Sequence, residues 1–174
     1  MSQVHYEFSV PVCIKALGGL KNVLAVAGNV AHTHPGGERE ILEARLAPDM
    51  FPFLRQVQIA CDNAKGIAAR LSGKEAPVFA DDETTLAELG SRIDKTVTFL
   101  ESLTPLDYEG AETRRVELPY FKDHYMTGDG YLKGYALPNF FFHVTTAYNI
   151  IRMLGGELGK KDYMNGVPLI PNEA

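Results

Sequence analysis

Apolar residues return every three or four positions along four long stretches of the chain, the pattern of helices with one buried face. The first stretch runs from Ser9 to Ala31, with Phe8, Val12, Ala16, Leu20, Val23, Ala27 and Val30 in step. Ser9 before Pro11 marks a start, and an earlier one near Gln3 is compatible with the pattern. Gly18 and Gly19 interrupt the stretch; they cost helix propensity and leave room for a neighbour to approach closely. The segment HTHPGG at 32–37 ends it, and a short helix over Arg39 to Leu46 follows before Ala47-Pro48-Asp49. From Met50 to Leu71 the spacing is cleanest: Met50, Leu54, Val57, Cys61, Ala64, Ala68 and Leu71 form one seam, with Gly73 as the C-terminal cap. The third stretch opens at Asp81 or Asp82, or on the capping box of Thr85 and Glu88, and carries Leu86, Leu89, Ile93, Val97, Leu100 and Leu103 up to Pro105. Residues 106–128 make a long connection with a short strand at 116–118, and connections of that length commonly carry function. A fourth helix spans Asp129 to Leu154, kinked or broken at Pro138. The tail, 155–174, packs back through Tyr163, Val167 and Leu169. These elements predict an all-α fold, a single domain over 1–174. Its architecture is an up-and-down four-helix bundle with a long crossover-like connection between helices 3 and 4.

Composition narrows the function classes. The chain is 45% hydrophobic and 22% charged, as globular proteins are. Seventeen basic residues against 22 acidic ones give a net charge of −5, which argues against a surface that tracks nucleic-acid phosphates. The nearest basic patch, Arg114-Arg115, is flanked by Glu112 and Glu117. The N-terminal residues lack a basic segment followed by an apolar one, so no signal peptide is expected. The longest run without charge, 134–151, is 18 residues but contains Pro138, Asn139, His143, Thr145, Thr146 and Asn149, too polar for lipid. A buried helix of a soluble protein is expected, with no membrane partner. Cys13 and Cys61 have no metal-type spacing and read as reduced, buried thiols of a cytoplasmic protein. No serine or cysteine sits in a nucleophile motif, and neither GDG at 128–130 nor GGL at 18–20 matches a phosphate-cradling loop. His32 and His34 could pinch a metal but read as a surface loop. His124, within YFKDHYMTG, could belong to a binding loop, or to a solvated loop anchored by Tyr120, Phe121 and Tyr125.

One histidine stands apart. With His143 at zero on a helical wheel of about 100° per residue, Ala136, Phe140, Ala147, Ile150 and Leu154 fall within about 60° of it. His143 therefore sits near the centre of a buried face, with Asn139 one turn below and Thr146 one turn above. A buried polar group without a partner costs about 1–3 kcal/mol. Asn139, Thr146 or a side chain of the neighbouring helix must therefore bond the ring. Either His143 is a satisfied core residue, or it lines a polar pocket with Asn139.

The segments LEARLAPDM, LRQVQIACDNAKG, LPNFFFHVTTAYNIIRMLGG and LGKKDY resemble an uncharacterised family of the DinB/YfiT-like superfamily, whose members are read as metalloenzymes. The resemblance covers nearly the whole chain and implies a helical bundle, frequently a homodimer. Many DinB-like proteins hold a divalent metal with three histidines, one on the second helix and an i, i+4 pair on the fourth. The resemblance places His143 at the second of that pair and Asn139 at the first. Gln58, or one register away Cys61 or Asp62, stands at the second-helix histidine. Two amides beside one imidazole are weak ligands for zinc or nickel. The expectation is a lapsed metal site and no cofactor, with a divalent zinc, nickel, manganese or iron ion as the alternative. What remains is a small-molecule pocket between helices 2 and 4, with Gln58, Asp62, Asn139, His143, Tyr148 and His124 around it or in a covering lid. Three functions follow: a small-molecule binder of hydrolase or transferase type, a non-catalytic homodimeric stress-related or interaction protein, or a metal-dependent enzyme with unusual ligands.

Overall fold

The computed structural model describes residues 2–172; Met1 and the last two residues of the expected tail lie outside the described residues. The chain is predominantly helical. A short α1 (Ser2–Glu7) leads into α2 (Val10–Thr33), and α3 (Gly37–Glu43) connects to α4 (Phe53–Ser72). Then come α5 (Leu86–Glu101), a two-stranded antiparallel ribbon of β1 (Arg115–Val116) and β2 (Met126–Thr127), and α6 (Gly128–Tyr131). After it come a π-helical turn (Leu132–Ala136), α7 (Leu137–Met153) and α8 (Lys160–Met164).

Local chemistry sets the boundaries. Thr85 accepts a hydrogen bond from the Glu88 amide while Glu88 accepts from the Thr85 amide, so the predicted capping box, and not Asp81 or Asp82, opens α5. Gly73 closes α4 at φ +75°, a conformation that disfavours side chains. Pro138 has no N–H to give, and the π-helical turn just before it absorbs the mismatch without ending the helical path. Ser9 does not cap α2: its hydroxyl bonds the His5 carbonyl at 2.6 Å and Tyr108 at 3.0 Å, pinning α1 to the turn after α5.

The helix order differs from the up-and-down expectation. Each of α2 and α4 packs against both α5 and α7, while α2 and α4 meet less extensively. Gln58 meets Glu83 near the starts of α4 and α5, and Lys74 meets Asp107 near their ends, so these two helices run parallel. In contrast, Gln56 faces His143 and Arg70 faces Tyr131, so α4 and α7 run antiparallel. The parallel pair needs a connection that returns along the length of α4, about 30 Å for its 20 residues. Residues 73–85 provide it; at about 3.3 Å per extended residue the segment reaches far enough. The crossover is therefore here, and the longer 102–127 connection joins helix ends on the same side of the fold.

A buried arginine holds the crossover down. The Arg92 side chain is 1% exposed and donates to Glu83 at 2.9 Å, Asp81 at 2.9 Å, Asp62 at 2.8 Å and the Ala80 carbonyl at 3.2 Å. Its guanidinium also lies 5.3 Å from the Phe79 ring centre, and Lys65 sits over the same ring at 4.0 Å while donating to the Pro77 carbonyl. At the opposite side, a Cβ on Gly19 would stand 2.2 Å from the Tyr163 carbonyl, so the glycine pair does admit a neighbour, namely α8. Tyr163 packs as expected, whereas Val167 and Leu169 are exposed: the chain beyond α8 has turned outward. Helix Gln3–Thr33 is long and apolar enough to cross a membrane, but half of its apolar window is buried among the other helices.

Removing Arg92 leaves the nearly buried Glu83 without its counter-charge. Arg92→Ala is expected to lower unfolding free energy by about 3 kcal/mol. Arg92→Lys should recover less than half, because one ammonium lacks the forked geometry. Urea denaturation checks this, and a loss below about 1 kcal/mol for Arg92→Ala would contradict it.

Candidate functional site

The helix α4 has two polar faces that look different ways. At about 100° per residue, Gln56 and Gln58 point roughly 200° apart. Gln58 turns toward α5: its amide donates to Glu83 at 2.8 Å and its oxygen accepts from Arg55 at 3.0 Å. Asp62 belongs to the same group, bonded to Arg92 at 2.8 Å and Lys65 at 3.0 Å. These two residues clamp the crossover and do not face His143.

The other face meets α7. His143 Nδ1 lies 2.7 Å from Gln56 Oε1, and Gln56 Nε2 donates to the Phe51 carbonyl at 3.0 Å. The carbonyl can only accept, so it fixes the orientation of the Gln56 amide. The amide oxygen in turn requires the proton on Nδ1, and the Nε2 lone pair of His143 is left free. Nε2 has no partner among the described residues and is not sealed from solvent, in a residue 7% exposed. Burial, reinforced by the positive charge of Arg55, pushes the His143 pKa down to about 4, so the ring is neutral at pH 7. Asn139 forms a second rung nearby, donating to Asn63 Oδ1 at 3.1 Å; Asn63 Nδ2 is buried with no partner among the described residues. Phe142 stands edge-on to the imidazole at 5.2 Å.

Of the six predicted pocket residues, only His143 and Asn139 lie on this interface. Thr146 is no partner to the ring; its hydroxyl donates to the Phe142 carbonyl. Tyr148 donates to the Leu158 carbonyl at 3.3 Å and packs edge-on against Tyr163, toward the tail. His124 is exposed, bonded to the Lys122 carbonyl. The connection carrying it packs beside the C-terminal half of α4, where Arg70 lies about 20 Å along the helix from Gln56. It cannot serve as a lid over His143. The expected 32–34 loop is the end of α2: His32 lies in its last turn and bonds the Gly28 carbonyl, and His34 Nδ1, 3.2 Å from a Glu40 carboxylate oxygen, makes no hydrogen bond among the described residues.

Sequence reasoning missed Gln56 and Asn63. The signal was present: Phe53, Gln56, Ala60, Asn63 and Ile67 recur every three or four residues as a second stripe on α4. A helix packed on two sides carries two stripes, and the Met50–Leu71 seam is only one of them.

The family model of a domain of unknown function, DUF1993, matches residues 5–164. The chain belongs to the DUF1993 family. The crystal structure of a DinB family member protein from Shewanella denitrificans superposes with a TM-score of 0.93 at 39% identity, over 98% of this chain and 97% of that one. Comparison with curated proteins gives no significant match. The DUF1993 chain is thus DinB-like, as its sequence segments implied.

The residues here do not fit the three-histidine metal centre of many DinB-like proteins. Among the described residues, no three His, Cys, Asp or Glu side chains converge as a ligand group. Where two further imidazoles would stand are amides already engaged with one another or with the crossover. Cys13 and Cys61 are free and buried, with thiols pushed up to about 12 by burial, so neither supplies a thiolate near neutral pH.

Neutral His143 couples stability to pH. The unfolded ring titrates near 6.5 and the folded one near 4, so the unfolded chain takes up the proton first. Its contribution is complete above about pH 6.5 and is lost as pH falls toward 4. Between pH 7 and 4.5, the wild type should lose about 2 kcal/mol more unfolding free energy than His143→Gln. Equal pH dependence in the two proteins would contradict this assignment.

Proposed function

We propose that this DinB-like protein binds a small, uncharged polar molecule at the α4–α7 interface, without a metal ion. What supports the reading is an unmatched pair: a free acceptor, His143 Nε2, and a buried free donor, Asn63 Nδ2, on adjoining rungs between the two helices. A ligand with one donor and one acceptor, such as an amide, complements both. Phe142, beside the ring, would give it an apolar wall. The long helices form a DinB-like four-helix bundle in this reading, one domain with the α4–α7 seam as its site. The unpaired thiols of Cys13 and Cys61 favour a cytoplasmic setting.

A second reading, a non-catalytic homodimer, draws on α7 as well. Phe142 and Met153 are 54% and 51% exposed there, more than the folded chain alone requires. In that case a second copy covers the flank and His143 is structural only.

After incubation with zinc, nickel, manganese or iron, wild type is expected to retain no more metal than His143→Ala, as read by elemental analysis. Neutral amides at millimolar concentration should raise the melting temperature of the wild type but not that of His143→Phe. One equivalent of metal held by wild type and lost in His143→Ala would sink the metal-free reading. No amide shift, together with a dimer by light scattering that Met153→Glu dissociates, would favour the second.

A further inference from the structure

We propose that the cleft between the C-terminal half of α4 and the strand segment at 114–117 binds a short dianion, two oxyanion groups about 5 Å apart. The spacing rests on helix rise and charged hydrogen-bond length. This site is separate from the His143 interface, so either can fail alone.

The cleft has a volume of about 520 Å³ and is lined by four cations, Arg70, Lys74, Arg114 and Arg115, against one carboxylate, Glu117. That is a local reversal of sign in a chain of net charge −5. Two of the cations are already matched: Lys74 pairs with Asp107 at 2.9 Å, and Arg115 with Glu117 at 2.7 Å. Arg70 and Arg114 have no carboxylate among the described residues. Arg70 donates only to the Tyr131 hydroxyl at 3.3 Å, and Arg114 to the Glu109 carbonyl at 3.0 Å. Arg114 Nε is buried and has no partner among the described residues.

The floor of the cleft places these two guanidinium groups. A Cβ on Gly66 would stand 2.3 Å from Arg70 Nη1, and one on Gly73 would stand 2.6 Å from Arg114 Nη1. Each guanidinium therefore reaches the helix surface through its Nη1, set over a glycine, with Nη2 farther out. Gly66 and Gly73 are two turns apart on one face of α4, about 10.5 Å along its axis. An oxyanion at each end, with charged contacts of about 2.8 Å, leaves about 5 Å between the bound oxygens. Ala69, between the two glycines, keeps the floor low.

A purely electrostatic role at the C-terminus of α4 explains the pattern less well. Cations do favour that end of a helix, and Lys74 already stands there. No hydrogen bond links Arg70 or Arg114 to an α4 carbonyl among the described residues. A dicarboxylate and a diphosphate share the required chemistry, and the probes separate them.

Isothermal titration of the whole chain at low ionic strength, with succinate, glutarate, pyrophosphate, propionate and inorganic phosphate, tests the proposal. At least one of the first three is expected to bind ten-fold or more tightly than both single-group probes, and the preferred one identifies carboxylate or phosphate chemistry. Arg70→Gln and Arg114→Gln should each abolish that preference. Arg70 is exposed, so its substitution leaves the fold intact even if loss of the Arg114–Glu109 bond loosens the connection. Equal affinity for one-group and two-group anions, no binding by any probe, or binding indifferent to Arg70→Gln would each overturn it.

Discussion

The parallel run of α4 and α5 is the constraint from which most of the architecture follows. Two consecutive parallel helices need a return path, and here it is an irregular strand of chain lying against a helical surface. Irregular backbone on such a surface must have its polar groups bonded. Arg92 does much of this, binding the Ala80 carbonyl and gathering Glu83, Asp81 and Asp62 around one guanidinium. Burial alone would lower the pKa of Arg92, but Glu83 and Asp62 outweigh it and raise it, so the charge stays. With the crossover fixed, α4 is committed on one side to α5, and its opposite side is free to meet α7.

This commitment decides the chemistry of the interior. The crossover draws Gln58 and Asp62 into its own network, leaving His143 with Gln56 alone from α4. The arrangement resembles the outer half of a metal-binding histidine, with Nδ1–H held by an amide so that Nε2 is free. What differs is the company of Nε2. Nearby are amides and an aromatic edge, which favour a neutral hydrogen-bonding ligand over an ion. The far end of α4 has the opposite character, cationic and open, because the 102–127 connection brings Arg114 and Arg115 against it.

Much of this was legible in the residues. The extents of the long helices, the Thr85–Glu88 box, the Gly73 cap and the buried state of His143 all follow from periodicity and capping chemistry, which act locally. Helix order did not, because it depends on which loop crosses, and residues 74–80 carry no periodic signal that distinguishes a crossover from a short link. Placing the crossover in the longer connection led directly to the expectation that His124 lies over His143. The resemblance placed Gln58, or Cys61 or Asp62, at the second-helix ligand position, and Gln56 is the residue that meets His143. Two positions on a helix rotate a side chain by about 200°, to the other flank. Nothing in the local sequence around Arg92 signals burial; only its assembly with residues from two other segments makes it a buried cation.

The interior chemistry turns on one side chain: His143, a neutral imidazole with its proton on Nδ1, held by Gln56, and a free Nε2. Long-range proton–nitrogen NMR of the ring, with and without one equivalent of zinc, reads this most directly. A protonated Nδ1 and a lone-pair Nε2 are expected from pH 8 down to about 5, with no change on adding zinc. A proton on Nε2, a ring charged at pH 6, or a zinc-dependent shift at one equivalent would contradict it.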